Sequence, residues 1–365
     1  ATFCLASALL HCAPSVYAEW TSPHPLEAEE AAPAALLPFP RHVEWDAQGR
    51  SVQIPGKVVR PVSDMLGTAL AELPKGGDKG VFSLAIKKLP EEFGTEGYRL
   101  AVTPEGNVSV EAVTEAGLFY GIQTLRQLVA GGGGVPCCKI EDYPAFGLRG
   151  FMHDCGRNFR SIEMLKAEID AAAQLKMNYF QWHMTDDPGW RVECKAHPVL
   201  NDPSKRTRDP EGTYTYAQIR ELCRYAKERN ITVIPELDMP GHSAYFPRCF
   251  GFKMHTEEGM AVLETLIDEF CREIPAELCP ILHIGADEVK IPNARQFVKR
   301  MGDRVRANGR TPMQWGGAHD LPVGEDYIAQ RWGEGRLTSN KSMGAESVHG
   351  RTVDSSMGYT NLFDP

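Results

Sequence analysis

Beyond Pro144 the sequence alternates between short apolar runs and longer segments of helical periodicity, and this rhythm most restricts the fold. GFMHDC precedes SIEMLKAEIDAAAQLK, where Ile162, Leu165, Ile169 and Ala172 form one apolar stripe. NYFQWHM leads, after a long loop, to TYAQIRELCRYAKERN, whose Thr215 and Gln218 make a capping box. ITVIPEL precedes a loop and EEGMAVLETLIDEFCREI; ILHIGADE precedes NARQFVKRMGDRVRANG; TPMQW, DYIAQRW and RTVDSSMGY are three more strand candidates. Runs such as ILHI lack the alternation of a half-exposed strand and read as buried parallel strands. Repeated strand–helix units with polar motifs at the strand ends predict an α/β fold, a (β/α)8 TIM-like barrel over residues 144–365. The sequence supplies seven strand candidates, so an eighth strand is missing from this chain.

Residues 39–135 have a different pattern. GYRLAVT and VSVEAV flank Pro104-Glu105-Gly106-Asn107, a hairpin signal, and TEAGLFYGIQTLRQLV reads as a helix capped by Thr114 with Leu118, Ile122, Leu125 and Leu128 on one face. Gly131 to Gly134 then read as a break, which closes a small α+β domain. Residues 19–38, rich in Pro, Ala and Glu, read as a linker. Residues 1–18 are apolar, uncharged and end in Val16-Tyr17-Ala18, the pattern of a secretory signal, so the expected location is periplasmic or secreted. Cys4 and Cys12 fall inside that segment; the other eight of the ten cysteines have irregular spacings and no CxxC pair, which argues against structural zinc while leaving disulfides open.

At 365 residues with 42% hydrophobic and 24% charged content, the chain has the composition of a globular protein with a large core. Its net charge of −9, without a basic block, argues against nucleic acid or an anionic membrane as partner, and no later run is long enough to span a bilayer.

The strand ends concentrate chemistry. The first carries Asp154 and Arg157, the second His183, Asp186 and Asp187, the third Glu236, Asp238 and His242, the fourth Asp287 and Glu288; Trp315, Trp332, Tyr359 and Asn361 follow at the last three. Singly, each acid also suits a helix cap and each Trp a core. Together, aromatic faces for stacking and carboxylates for hydroxyl groups suit a sugar, and the acids suit glycoside hydrolysis. Asp287 and Glu288 are adjacent, however. Neighbours on a regular strand face opposite ways, so an adjacent Asp is poorly placed as a nucleophile across the scissile bond and better placed to orient a substrate group.

The pieces RGFMHDCGRNF, NYFQWHMTDDPGWRVE, VIPELDMPGHS and HIGADE, in that order, resemble the β-N-acetylhexosaminidases of glycoside hydrolase family 20, and GLFYGIQTLRQL resembles the helix closing that family's N-terminal domain. The resemblance implies a retaining exo-glycosidase that releases terminal β-linked N-acetylglucosamine or N-acetylgalactosamine from glycans, without metal or other cofactor. The substrate's own acetamido oxygen would act as nucleophile, through an oxazolinium intermediate. Glu288 would be the acid and then the base, and Asp287 would hold the acetamido N–H. Tyr359 would hold the acetamido oxygen, Trp315 and Trp332 would wall the pocket, and Arg157 and Asn361 would grip hydroxyls. Asp186 and His242 would form a supporting pair beside Glu288. The family's eighth strand brings a further Trp, and Thr360 stands where the family has an apolar residue.

Two rivals stay open at this stage. His183, Asp186, Glu236, His242 and His283 are a ligand set for a metal-dependent barrel hydrolase. A non-catalytic amino-sugar-binding relative is the other.

Overall fold

A computed structural model of the chain describes residues 34–59, 63–130, 132, 134–288, 291–316, 327–331 and 351–355. The expected signal (residues 1–18), most of the expected linker, and Trp332, Tyr359 and Asn361 lie outside the described residues.

The first unit is a six-stranded sheet with two helices. Its strands are β1 (His42–Trp45), β2 (Val58–Val59), β3 (Phe82–Ile86), β4 (Tyr98–Val102), β5 (Val108–Ala112) and β6 (Cys138–Asp142), in the spatial order β1-β6-β4-β5-β3-β2. β4 and β5 are the expected hairpin, paired antiparallel from Tyr98–Ala112 to Val102–Val108. Helix α1 (Asp64–Ala71) packs beside α2 (Glu115–Val129), and α2 lays Leu118, Ile122, Leu125 and Leu128 into the core. Two expectations need correction. Thr114 does stand at the N-cap in extended backbone, but its hydroxyl donates to the carbonyl of Thr95 at 2.5 Å instead of accepting from the helix. And the sheet reaches past Val135: Cys138–Asp142 pairs with β1 and β4, so the first unit extends beyond the expected boundary.

The second unit is a curled, wholly parallel sheet of seven strands. β7 (Gly150–Asp154), β8 (Tyr179–His183), β9 (Thr232–Glu236), β10 (Ile281–His283), β11 (Thr311–Gly316), β12 (Ile328–Arg331) and β13 (Arg351–Asp354) lie side by side in sequence order. All seven strands expected from the sequence are present. Between them run α3 (Ile162–Gln174), α4 (Tyr216–Lys227), α5 (Tyr245–Phe250), α6 (Glu257–Glu273) and α7 (Ala294–Ala307). The capping box at Thr215 and Gln218 is formed.

Strand alternation sorts the residues between the two faces. Phe180 and Trp182 are fully buried beneath the helices, whereas Ile234, Ile281, Met313 and Ile328 cluster with Tyr179 and Val353 on the opposite, concave face. One step nearer the strand ends, the same face carries Gln181, His183, Glu236, His283, Trp315 and Gln330, all buried. A dry apolar layer thus supports a polar one.

The units meet through polar contacts. The ammonium of Lys176, buried at the end of α3, donates to Asp142 Oδ2 at 2.7 Å and to Tyr98 Oη at 2.8 Å. Arg149 pairs with Glu96 at 2.7 Å, and Asn178 donates to the same carboxylate at 3.0 Å. No helix among the described residues is long and apolar enough to cross a membrane.

Candidate active site

The two acids that follow β10 sit on a turn that strand geometry does not permit. Gly285 (φ 68°), Ala286 (φ 79°) and Glu288 (φ 52°) all occupy the left-handed region. Neighbours on a regular strand face opposite ways, and here both acids lie past the strand's last residue, His283. Gly285 has a second constraint: a Cβ at that position would lie 1.7 Å from Asp238 Oδ1.

Beneath the turn lies a buried charge web. Glu236, fully buried, accepts from Gln181 Nε2 at 2.7 Å and from Trp315 Nε1 at 2.8 Å, and its Oε2 lies 3.0 Å from His183 Nδ1. The other ring nitrogen of His183 is 3.1 Å from Asp186 Oδ2. Burial would depress the His183 imidazole, but the charge of Glu236 and the hydrogen bond to Asp186 outweigh it and hold it well above its ordinary value. Burial likewise would raise Glu236, yet the charge of His183 dominates and the carboxyl is depressed. His183 is therefore an imidazolium between two carboxylates. His283 is its opposite: burial pushes it down to about 4, and its Nδ1 accepts the Gly285 N–H at 2.9 Å, so it is neutral.

Asp238 is buried, and neither of its carboxyl oxygens has a hydrogen-bond partner among the described residues. Burial first, then the charge of Glu236, holds it well above the carboxylate range. Asp287 is also raised: burial is the largest cause, offset in part by His242 and reinforced by Glu236. The two neighbouring acids at the turn thus have unlike surroundings, since the Glu288 side chain is 56% exposed while Asp287 is half-buried.

His242 and Arg157 complete the cluster. Arg157 Nη2 lies 2.9 Å from Asp186 Oδ2 and donates to His242 Nδ1 at 3.3 Å, while Nη1 donates to Asp154 Oδ2 at 2.6 Å. A guanidinium can only donate, so His242 Nδ1 is the acceptor and the ring proton sits on Nε2. That nitrogen is 3.3 Å from Glu288 Oε2. The direct Asp186–His242 separation is 3.8 Å, too long for a hydrogen bond. The pair expected from the sequence is not in direct contact: Arg157 stands between Asp186 and His242.

Of the sequence-derived candidates, Glu288, Asp287, Asp186, His242 and Arg157 converge at one mouth. Trp315 lies below them, 7% exposed, its ring 5.0 Å from that of His283 and its N–H on Glu236. Of the web beneath, the sequence marks His183, Glu236 and Asp238 as strand-end polar residues, the first two also as metal-ligand candidates, but gives none of them a role in glycoside hydrolysis; Gln181 was missed, its signal an amide inside an otherwise apolar run. Several triplets of these groups have ligand atoms within 4.8 Å of one another, the spacing a metal ion needs. At His183 and Asp186 the donor atoms are already engaged: His183 lies between Glu236 and Asp186, and Asp186 Oδ2 also faces Arg157.

The model of the glycosyl hydrolase family 20 catalytic domain matches residues 146–248, and that of the family's domain 2 matches residues 23–143. A β-hexosaminidase of Vibrio furnissii is 31% identical over 309 residues, covering 72% of this chain and 50% of that protein; one from Porphyromonas gingivalis is 36% identical over 226 residues, covering 53% and 29%. The crystal structure of a β-N-acetylhexosaminidase from Bacteroides fragilis superposes with a TM-score of 0.70 at 30% identity, covering 81% of this chain and 69% of that one. The chain belongs to glycosyl hydrolase family 20. It spans half or less of the two sequence relatives. The family's fold, a TIM-barrel catalytic domain behind an N-terminal domain, accounts for the two units and for the curl of the parallel sheet.

Proposed function

We propose that the chain carries the active site of a retaining exo-glycosidase that removes terminal β-linked N-acetylglucosamine or N-acetylgalactosamine from glycans. The observation that carries this reading is the adjacency of two unlike carboxylates on one turn, with a histidine N–H aimed at the second. No second carboxylate across the site is required if the substrate brings its own nucleophile. In the first step the acetamido oxygen attacks the anomeric carbon while Glu288 gives its proton to the departing oxygen. The His242 N–H favours the carboxylate left behind. Asp287 accepts from the acetamido N–H and stabilises the positive charge of the oxazolinium ring. In the second step Glu288 takes a proton from water, which opens the ring from the same face and retains configuration. Arg157 would meet sugar hydroxyls from its partly exposed side, and Trp315, Trp332, Tyr359 and Asn361 would line the pocket as the family resemblance implies. The seven strands belong to a (β/α)8 barrel in this reading, and the apolar residues 1–18 support export.

Hydrolysis of aryl N-acetyl-β-glucosaminides and of a disaccharide, by the chain and by Glu288→Gln, tests the proposal. Loss of acid catalysis should lower kcat/KM on the disaccharide by about 10²–10⁴-fold and far less on an activated aryl leaving group. Unchanged disaccharide hydrolysis in the variant would refute the assignment. So would turnover of trifluoroacetamido substrates as fast as of the acetamido parent, because fluorine weakens the nucleophilic oxygen.

A further inference from the structure

The eight described cysteines are all unbonded, yet two of them meet. Cys223 of α4 and Cys279, two residues before β10, bring their sulfur atoms to 3.4 Å, with both side chains fully buried. That is shorter than the ordinary contact of two sulfurs and about 1.4 Å longer than a disulfide bond. The surroundings are fixed on both sides. Cys223 shares the buried face of α4 with Ile219, Leu222 and Ala226, and the carbonyl of Cys279 accepts from the buried guanidinium of Arg310.

We propose that Cys223 and Cys279 are a disulfide site, closed when the chain folds in an oxidising compartment. The bond would join α4 to the base of the strand that delivers Asp287 and Glu288. Its formation is an exchange with a disulfide of the compartment, such as glutathione disulfide or the disulfide of a thiol oxidase. One cysteine thiolate attacks that disulfide and expels a thiolate; the second cysteine attacks the mixed disulfide and expels the other. Two cysteine thiols are oxidised, one external disulfide is reduced to two thiols, and the two protons pass to them. Both sulfurs are inaccessible in the native state, so exchange precedes the docking of α4. Burial then protects the bond from small reductants.

The full chain, refolded with reduced and oxidised glutathione, is denatured, alkylated and mapped by mass spectrometry without reduction. The expected result is one linked peptide pair containing residues 223 and 279, two hydrogens lighter than the sum, with the other described cysteines alkylated. Cys223→Ala and Cys279→Ala should each remove the linked pair. They should lower Tm relative to the oxidised parent by about 5–10 °C, a gap that reduction of the parent before folding closes. Complete alkylation of both residues in the refolded parent would overturn the proposal, whether or not the variants fold. So would a linked pair that joins either residue to a different cysteine.

Discussion

His242 holds Nε2 3.3 Å from Glu288 Oε2 because its Nδ1 already accepts a hydrogen bond from Arg157. The tautomer is set by a residue of the first barrel strand's loop, the ring by a loop of the third, and the target by the turn after the fourth. His242→Phe should therefore remove a donor without unmaking the pocket. A hydrogen bond to a charged group is worth about 1.5–3 kcal/mol, so kcat/KM on a disaccharide should fall by about 10–100-fold, with a smaller loss on activated aryl glycosides. Parallel losses on both substrates, carried by KM alone, would mean that His242 only shapes the pocket.

Asp287→Asn should reduce kcat by about 10²–10³-fold, the scale of one lost charge-stabilising contact. The pH profile carries a second signature. Burial holds the Asp287 carboxyl above its ordinary value, so it gains a proton, and loses its stabilising charge, at a higher pH than a solvated carboxyl does. Parent activity should fall on the acid side above the ordinary carboxylate value of about 4, and that limb should be absent from the Asn variant. An identical acid limb in both proteins would assign it elsewhere.

The His183–Glu236 pair makes stability depend on pH in both directions. His183 is raised in the folded state, so its contribution is whole below about pH 6.5 and is lost as pH rises through the raised value. Glu236 is depressed, so its contribution is present above about pH 4.3 and is lost as pH falls through the depressed value. Glu236→Leu leaves the buried His183 imidazolium with Asp186 as its one close carboxylate and should cost about 3–5 kcal/mol near neutrality. Urea unfolding of parent and variant across pH 4–10 checks both the size and the loss of the alkaline decline; a cost below 1 kcal/mol would contradict the pairing.

Gly285→Ala should be severe for its size. The residue has φ 68°, and the new methyl would meet Asp238 Oδ1 at 1.7 Å. Left-handed backbone with a Cβ costs about 1–2 kcal/mol and overpacking about 1–3 kcal/mol more. Thermal melts should show the loss, and displacement of the Asp287–Glu288 turn should lower turnover further. A variant with parent Tm and parent kcat would show that the turn is not held by this contact.

The barrel strands were legible because a parallel strand buried on both faces leaves an unbroken apolar run, as in Ile281-Leu282-His283-Ile284. The site acids were legible because they follow those runs. Their partners were not, since register decides them: Gln181 and Glu236 are 55 residues apart, and Trp315 and Glu236 79. Arg157 shows the same limit. The sequence marks a cation at a strand end, but the pairing of Asp154 with His183 across β7 and β8 brings it to Asp186. The end of the first sheet was hidden likewise, because β6 finds partners in β1 and β4, far back along the chain. At Thr114 the local cap signal was right about position and wrong about the bond, as a carbonyl from another segment took the hydroxyl.

The ammonium of Lys176 reaches out of the barrel unit to Asp142 and Tyr98 of the smaller one. A barrel cut free at residue 143 would keep that positive charge and lose its only described acceptors. The residue sits three positions before β8, the strand that ends at His183. The small unit therefore supplies both described acceptors of that buried ammonium. Grafting this catalytic half onto another scaffold means bringing the sheet that solvates its lysine, or replacing the lysine first.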